Sequence, residues 1–290
     1  MSLHFRQVTI VGVGLIGGSL GMILKQQEIA DRVVGVGRSL ENLELAVKLG
    51  AIDAFYRDPK EAMKGADLVI LATPVEHYAS HLQEWGHLLE PGTIVSDVGS
   101  VKGKLVGVVE GLVPEQVQFV GAHPIAGKEK SGVGASCTDL FKGAVCIVTP
   151  TSHTDAQALS CIQRLWEAAG SVMVGLDPFL HDRILGAVSH LPHVVAFALM
   201  NALLELQEDA GGATDLFAFS GGGLRDTTRI AASSPEMWRD IFLWNRENLL
   251  RMIEVLEGQL HRFQKLLEDQ DGPGLEHVIA QARDARRQLP

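Results

Sequence analysis

A glycine-rich turn near the start of the chain constrains the fold more than any other feature. Residues 8–11 form a short apolar run rich in β-branched side chains, which is typical of a strand buried on both faces of a parallel sheet. Gly12, Gly14 and Gly17 follow with the spacing G-x-G-x-x-G, and residues 15–25 then favour a helix. Gly12 would permit a tight turn, Gly14 would let the backbone approach a pyrophosphate, and Gly17 would let the helix pack closely on the strand.

The helix after this turn offers a binding place for phosphate groups. Its first N–H groups have no partner within the helix, and the helix dipole favours an anion at the same end. The spacing alone is weak evidence, because glycine turns are common. The strand before it and the helix after it strengthen the prediction of a dinucleotide site, with an empty strand–helix turn as the alternative.

The first part of the chain alternates between short apolar runs and helical segments. Strands are predicted at residues 8–11, 32–37, 68–72, 93–96, 118–121, 144–148 and 171–174, and helices at residues 15–25, 40–49, 76–89, 101–110 and 154–169. This alternation is typical of a doubly wound parallel α/β sheet with right-handed crossovers, the Rossmann arrangement. Its ligand would bind at the carboxyl ends of the strands.

Beyond about residue 175 the predicted strands stop and helices take over. Residues 184–206 are apolar nearly all round, which favours a helix buried on most sides. A second helix has apolar residues that step alternately by four and three, the spacing of helices packed at a shallow angle: Leu249, Ile253, Leu256, Leu260, Phe263 and Leu267. A break at residues 271–274 precedes a last helix at residues 275–288.

These two patterns predict two domains. Residues 1–175 would form the dinucleotide-binding Rossmann domain, and residues 176–290 an all-helical domain for substrate binding and dimerisation. The second part has more apolar helix surface than a small monomer could bury, so a homodimer is expected. A self-contained helix bundle is the alternative.

Composition limits the partners and the compartment. The chain has 290 residues and a formal net charge of -10, which argues against a nucleic-acid partner and gives no attraction to an anionic membrane. We expect no apolar run long enough to cross a bilayer and no secretory signal at the start. Cys137, Cys146 and Cys161 have no paired spacing, which fits a reducing cytoplasm.

The end of the second predicted strand bears on the choice of nucleotide. An acidic residue usually stands there to accept hydrogen bonds from the ribose hydroxyls of NAD, but this chain has Gly37. Arg38 and Ser39 could instead bind a 2′-phosphate, so NADP is favoured over NAD. The alternative is that Arg38 stacks on adenine and that NAD is accepted as well. The predicted cofactor-binding residues are Gly12, Gly14, Leu15, Ile16, Gly17, Arg38, Ser39, Thr73 and Pro74.

Polar residues that could take part in catalysis follow two later strands. Ser100 lies in Asp-Val-Gly-Ser-Val-Lys after the strand at 93–96, and His123 comes just after the strand at 118–121. A histidine at that point would face a ligand rather than the core, and neutral imidazole can accept a proton from a substrate hydroxyl while hydride leaves the same carbon. A structural loop histidine is the alternative.

The helical part adds paired histidines and paired arginines. His190 and His193 are three apart and would share a helix face, but no acid or thiol has matching spacing, so no metal site is predicted. Arg225 and Arg229 are four apart and would project from one helical face. Guanidinium groups fit carboxylates with paired donors, which indicates a small anionic substrate; an exposed, salt-bridged face with Asp226 is the alternative.

Taken together, these residues resemble a known family, the prephenate and arogenate (cyclohexadienyl) dehydrogenases of tyrosine biosynthesis. The matching segments, in chain order, are GVGLIGGSL, DVGSVK, AHPIAGKEKSGV, SHLPH and GGGLRDTTRIA. The first segment alone is unspecific, but the set is highly specific and covers nearly the whole chain. The resemblance implies a Rossmann domain, a helical dimerisation domain and an active site in the cleft between them.

The resemblance also implies a reaction and two catalytic residues. The reaction would be an NAD(P)-dependent oxidative decarboxylation, in which hydride and carbon dioxide leave a cyclohexadienyl ring that becomes aromatic. His123 would bond the ring hydroxyl and take its proton, and Ser100 would hold that hydroxyl or His123 in place. Aromatisation supplies the driving force, so the protein would mainly orient the substrate, bind carboxylates and manage one proton.

The remaining roles implied by the resemblance concern substrate binding. Arg229 would bind a substrate carboxylate with help from Arg225, where the family often has lysine. His193 would lie near the side-chain end of the substrate, and Glu129 would help to gate the cleft. Lys128 departs from the small hydroxyl residue that is frequent in the family, and this extra cation is taken to favour prephenate, which lacks the ammonium group of arogenate.

Two other kinds of protein are considered. Hydroxyacid dehydrogenases and small-imine reductases with Rossmann and helical domains usually place a catalytic lysine on a helix of the second domain, but beyond residue 175 this chain has only Lys265. A catalytically silent nucleotide-binding regulatory protein would be expected to lack His123 or Arg229, and both are present.

Overall fold

A six-stranded parallel sheet with helices on both faces forms the first part of the protein. The computed structural model describes residues 3–127, 130–209 and 215–289. The elements in chain order are β1 (Phe5–Val11), α1 (Leu15–Gln26), β2 (Ala30–Val36), α2 (Leu40–Lys48), β3 (Ala54–Tyr56), α3 (Pro59–Met63), β4 (Leu68–Leu71), α4 (Tyr78–Trp85), β5 (Ile94–Asp97), α5 (Gly103–Glu110) and β6 (Gln118–Val120). The strand order β3-β2-β1-β4-β5-β6, with every pairing parallel, confirms the predicted doubly wound fold.

Strand β1 lies at the centre of this sheet and is covered on both faces. Val8 and Ile10 pack into one apolar cluster together with Leu20 of α1, whereas Val11 belongs to a second cluster on the opposite face with Trp85 of α4. Successive side chains of a strand point to opposite faces, so a continuous apolar run is what two-sided burial requires. The strand order reverses between β1 and β4, and this is where the glycine turn lies.

Two short elements were not predicted, and one predicted helix is divided into three shorter ones. The three-residue strand β3 and the five-residue helix α3 are too short to show a periodic pattern. The helix expected at residues 76–89 is divided into a 3-10 turn at Val75–His77, α4, and a second 3-10 turn at Gly86–Leu88.

A second, smaller sheet follows the parallel one and corrects the prediction for residues 144–148 and 171–174. It contains β7 (Ala122–Pro124), β8 (Val145–Val148) and, after α6 (Ala156–Ala168), β9 (Val172–Gly175), in the order β7-β8-β9. Strand β7 runs antiparallel to β8, with His123 opposite Ile147. His123 therefore lies within a strand of this small sheet, rather than in a loop just after a strand of the large one.

Helices form the rest of the chain. They are α7 (Pro178–Leu185), α8 (Leu191–Asp209), α9 (Gly222–Thr228), α10 (Pro235–Trp244), α11 (Arg246–Glu268) and α12 (Gly272–Arg286). A π-helical turn at Gly186–His190 joins α7 to α8, so the helix predicted at 184–206 is longer than expected and changes its winding. Asp271 caps α12 by accepting a hydrogen bond from the Gly274 N–H at 2.9 Å.

The helical part leaves much apolar surface uncovered within one chain. Of the residues of α8, Ala196 is buried, so the expected burial of this helix on most sides is wrong for the isolated chain. Large exposed apolar side chains in this part include Val188, Leu204, Leu206, Phe219, Leu250, Val255, Leu260 and Leu267. Contrary to expectation, the helical stretch at residues 178–209 is also long and apolar enough, by length and composition alone, to cross a membrane. An apolar surface of this extent is typical of an interface.

Candidate active site

The nucleotide turn, residues 12–17, has the backbone geometry that its glycines predict. Gly12 has a φ of 100°, a region that side chains disfavour, and a Cβ there would lie 2.5 Å from the carbonyl oxygen of Ala72. A Cβ on Gly17 would lie 2.8 Å from a methyl group of Ile10. Around Gly14, in contrast, a Cβ would meet nothing within 4 Å. The turn is therefore pressed against β1 and β4 on its inner side and has free space at Gly14.

The surroundings of the turn suit a phosphate group. Gly14 is the N-cap residue of α1, and Leu15 and Ile16 open the helix with no acidic side chain in its first turn. The hydroxyl oxygen of Thr73, which precedes Pro74 at the end of β4, is buried and has no hydrogen-bond partner among the described residues. A nucleotide bound here would find open N–H groups, room for phosphates and a hydroxyl ready to pair.

Hydrogen bonds connect the nucleotide turn to residues 133–136. The Asn42 side chain of α2 donates to the Val13 carbonyl oxygen at 2.7 Å and accepts from the Val133 N–H at 3.1 Å. The Ser136 hydroxyl donates to the Gly14 carbonyl oxygen at 3.2 Å. The segment at residues 133–136 is thus hydrogen-bonded to the cofactor end of the large sheet.

The end of β2 carries the residues expected to select the nucleotide. A Cβ on Gly37 would lie 3.3 Å from Leu43, so the acidic residue usual in NAD sites would be crowded at this position. The Ser39 hydroxyl accepts from the Asn42 N–H at 3.2 Å and caps α2, so its own proton is what it can still offer to a ligand. Arg38 is exposed beside these residues.

A buried ion pair shapes the loop that carries Ser100. Lys102 and Asp97 are 0% and 1% exposed, and the Lys102 Nζ donates to the Asp97 carboxylate at 2.8 Å and to the Gly99 carbonyl oxygen at 2.6 Å. The same carboxylate accepts from the N–H of Ala122, next to His123, at 3.1 Å. The first and last residues of the motif DVGSVK are therefore joined by an ion pair, which fixes the loop that carries half-buried Ser100 after β5.

His123 is the first member of a hydrogen-bonded chain that we call the base relay, made of His123, His181 and Asp182. The His123 Nδ1 and the His181 Nε2 are 2.8 Å apart, and the His181 Nδ1 is 2.8 Å from the Asp182 carboxylate. His123 is 8% exposed. Burial, followed by the neighbouring His181, Lys102 and His190, holds the pKa of His123 well below its ordinary value, so its imidazole is neutral at neutral pH.

Sequence reasoning missed His181 and Asp182. They lie side by side near the start of α7 and have no motif spacing relative to His123. Asp182 also accepts the Lys102 N–H at 2.7 Å and the Gly103 N–H at 2.8 Å, so it caps α5 from a different part of the chain. The His-Asp dipeptide at the first helix after the sheets was the one available signal.

His190 and His193 both contact Trp238, which fits the expected shared face. The His193 ring stacks on the indole at a centroid distance of 3.6 Å, and the His190 ring meets it edge-on at 5.9 Å. Burial lowers the pKa of His190 to about 4, and its Nδ1 accepts from the Asn245 amide at 2.9 Å. Burial also lowers the pKa of His193, and the Arg229 guanidinium adds to that shift, so Arg229 lies near His193.

The two arginines do not share one regular helix. Helix α9 ends at Thr228, and Arg229 begins a 3-10 turn that continues to Ala232. The prediction that both arginines project from one α-helical face is therefore corrected. Both Arg225 and Arg229 are exposed, and their segment packs on α8. Among the residues that the structure describes, no group of three or more histidine, cysteine or acidic side chains could hold a metal.

The structure brings the two predicted catalytic residues near His190, and His193 near Arg229, with both histidines on Trp238. The Ser100 backbone lies against His190, His190 acts electrostatically on His123, and His193 lies near Arg229. Arg225 lies one turn away on α9. Lys128 and Glu129, to which specificity and gating were assigned, lie outside the described residues.

Comparison with known proteins gives consistent matches. The family model described as prephenate dehydrogenase, nucleotide-binding domain, matches residues 20–175, and the one described as prephenate dehydrogenase, dimerization domain, matches residues 177–281. The chain is 36% identical to the prephenate dehydrogenase of Bacillus subtilis, covering 98% of this chain and 76% of that protein. It is 31% identical to the cyclohexadienyl dehydrogenase of Zymomonas mobilis, covering 98% and 96%.

Solved structures agree with these matches. The prephenate dehydrogenase of Aquifex aeolicus, in complex with hydroxyphenyl propionate and NAD+, superposes with a TM-score of 0.92 at 38% identity, covering 100% of both chains. A 3-hydroxyisobutyrate dehydrogenase of Mycobacterium tuberculosis, of the kind considered as a rival, reaches a TM-score of 0.52 at 14% identity over 83% of this chain and 93% of that one, and shares the fold alone.

Proposed function

The chain belongs to the prephenate dehydrogenase family, and we propose that His123 is the general base of its NAD(P)-dependent oxidative decarboxylation. In this reaction hydride leaves the ring carbon that bears the hydroxyl, and the bond to the ring carboxylate breaks to release carbon dioxide. The electron pair of that bond completes the aromatic ring. The product is 4-hydroxyphenylpyruvate from prephenate or tyrosine from arogenate.

The observation that carries this role is the hydrogen bonding of the His123 ring. Its Nδ1 is engaged by His181, so Nε2 is the nitrogen left for a substrate hydroxyl. Because the lowered pKa keeps the ring neutral, Nε2 can take the hydroxyl proton as hydride departs and return it to the phenolate oxygen after carbon dioxide is lost. Ser100 holds the hydroxyl or His123 in place during these steps.

Substrate carboxylates are held by arginine. Arg229, with Arg225 assisting, forms paired hydrogen bonds to a carboxylate, and the nearby His193 lies at the side-chain end of the substrate. Support for this arrangement comes from the proximity of Arg229 to His193. Glu129 as a gate and Lys128 as a cation favouring prephenate stay predictions outside the described residues.

The nucleotide binds at the turn of residues 12–17. Gly14 leaves room for the pyrophosphate, Leu15, Ile16 and Gly17 supply the start of α1, and Thr73 with Pro74 borders the site. When bound, the nicotinamide accepts the hydride. Gly37, Arg38 and Ser39 favour the 2′-phosphate of NADP, because no acid opposes it and Arg38 is exposed nearby.

The active protein is a homodimer in the cytoplasm. The description of the second family model as a dimerization domain and the exposed apolar faces of α8 and α11 support the dimer. The unpaired cysteine spacing supports a reducing compartment. Sedimentation of the purified chain tests the dimer, which a monomer at micromolar concentration would contradict.

The decisive experiment follows reduced-nicotinamide absorbance with prephenate or arogenate as substrate and NAD or NADP as cofactor, in all four combinations. Turnover with prephenate and NADP as the best pair is expected. Turnover with another pair keeps the family reaction and overturns the specificity proposal. No turnover in any of the four combinations, from folded protein that still binds nucleotide, would overturn the catalytic role of the site.

A further inference from the structure

The base relay connects the two parts of the molecule. We propose that His181 and Asp182 are positioning residues, which hold His123 in the tautomer with a proton on Nδ1 and a free lone pair on Nε2. This inference rests on His123 being the base proposed above. It assigns to the helical part of the chain a role in the chemistry beyond substrate binding and dimerisation.

The Asp182 carboxylate determines which atom donates and which accepts in each hydrogen bond of the relay. The Asp182 carboxylate accepts hydrogen bonds from the backbone N–H groups of Lys102 and Gly103. It also accepts a hydrogen bond from the Nδ1–H of His181. With Nδ1 of His181 protonated and the ring neutral, its Nε2 can only accept. Burial lowers the pKa of His181, which keeps that ring neutral.

The same reasoning then determines the tautomer of His123. Its Nδ1, 2.8 Å from an accepting Nε2 on His181, must carry the proton. Its Nε2 is therefore unprotonated before a substrate arrives, which is the state that a general base needs. When Nε2 takes a proton, the imidazolium keeps a donor bond toward His181 and the carboxylate of Asp182 beyond it, so the new charge is stabilised.

The relay also makes the base depend on how the two parts dock. His123 and Lys102 lie in the segment matched by the nucleotide-binding family model, and His181 and Asp182 in the segment matched by the dimerization model. The Asn245 amide donates to the Asp182 carbonyl oxygen at 2.8 Å and so ties α7 to the start of α11. A shift between the two parts would separate His181 from His123 and leave the tautomer of the base unspecified.

Two substitutions of His181 distinguish a positioning role from a packing role. In His181→Gln the side-chain amide oxygen can occupy the place of Nε2 and accept from the His123 Nδ1. In His181→Asn the amide occupies the place of Nδ1, so it can still donate to Asp182 but leaves His123 without an acceptor. Both variants replace the ring with a polar side chain of smaller volume, and exposed His261 on α11, as His261→Asn, is the control.

The kinetic test measures kcat and KM of the full-length enzyme with its best substrate. We expect His181→Asn to lower kcat by about ten- to a hundredfold with KM unchanged, and His181→Gln to retain kcat within about threefold. Equal losses in both variants, following their losses in melting temperature, would overturn the proposal, as would full kcat in His181→Asn.

A second measurement does not depend on activity. Nitrogen NMR of the unsubstituted protein labelled with ¹⁵N-histidine reports which ring nitrogen carries the proton, with His123→Asn used for assignment. A protonated Nδ1 and an unprotonated Nε2 on His123 are expected at neutral pH, and the opposite tautomer would overturn the proposal. If His123→Asn retains full activity, the base assignment fails, whatever the tautomer.

Discussion

The nucleotide turn and the base relay are built in opposite ways. The turn is one continuous stretch of six residues from Gly12 to Gly17, whose conformation depends on glycines that contact neighbouring strands. The relay joins two histidines 58 residues apart in sequence, and its carboxylate caps a helix whose first residue, Gly103, is 79 residues away. Residues 12–17 include no ionisable side chain, whereas the relay consists of two histidines and an aspartate.

This difference teaches how each region can fail. A change in the turn acts through sterics, because the backbone conformation and the space at each glycine are what bind phosphate. A change in the relay acts through proton positions and charge, since the packing can persist while the hydrogen-bond direction is lost. The first kind of change should alter nucleotide affinity, and the second should alter turnover or its dependence on pH.

The largest effect is expected at the base. In His123→Asn the side-chain amide can still donate to His181, so the fold should persist, but no nitrogen accepts the substrate proton. We expect kcat to fall by about 10²–10⁴, with nucleotide affinity unchanged, measured by steady-state kinetics and nucleotide titration. Exposed His153, as His153→Asn, is the control. Unchanged turnover in His123→Asn would remove this residue from the mechanism.

Acid should lower the free energy of unfolding through the buried histidines in and beside the relay. Because the pKa of His190 falls to about 4 in the folded chain, the unfolded state binds more protons as the pH drops below about 6.5, and the free energy of unfolding decreases. For His190 alone the loss is about 3 kcal/mol by about pH 4, with no effect above about pH 7.

Urea unfolding at several pH values checks this expectation. The lowered pKa values of His123 and His181 act in the same direction. The variant His190→Asn should lose less stability on acidification than the unsubstituted chain, whatever its stability at neutral pH. An identical acid dependence in the two proteins would mean that His190 is not held neutral by the fold.

Two alanine substitutions test the steric nature of the nucleotide turn. Gly12→Ala forces a side chain into a φ of 100° and against the Ala72 carbonyl, so we expect about 1–3 kcal/mol of destabilisation together with loss of nucleotide binding. Gly14→Ala meets free space and a φ of -97°, so the melting temperature should be kept while the methyl group obstructs the phosphates. Equal melting temperatures in both variants would contradict the difference described between the two glycines.

The smallest effect is expected at the carboxylate-binding end. Arg229→Ala should chiefly raise KM, by about tenfold for a lost charge-assisted hydrogen bond, and leave kcat within a few-fold. Arg225→Ala, one turn earlier, should raise KM by less. An unaltered KM in Arg229→Ala would exclude this residue from carboxylate binding and would confine the site to the relay and the nucleotide turn.

Local patterns in the chain predicted most of the large sheet. Strands β4 (Leu68–Leu71) and β5 (Ile94–Asp97) begin and end within one residue of their predicted positions, and β1 (Phe5–Val11) begins three residues earlier than predicted, since two-sided burial demands a continuous apolar run that is visible in sequence. The three-residue strand β7 was missed, because so short an element shows no period, and with it the true setting of His123. The resemblance carried by motifs still led to His123, Ser100 and Arg229.

By itself the sequence determined the nucleotide turn, the order of the longer strands and helices along the chain, and the family, because each is encoded in residues that are neighbours along the chain. Only the tertiary structure decided that His123 lies in a second sheet and that His181 and Asp182 complete its hydrogen bonds. The physical reason is that a hydrogen-bonded chain needs distances near 2.8 Å between side chains from separate elements, and no local pattern specifies such distances. Packing of α7 against α5 supplies them.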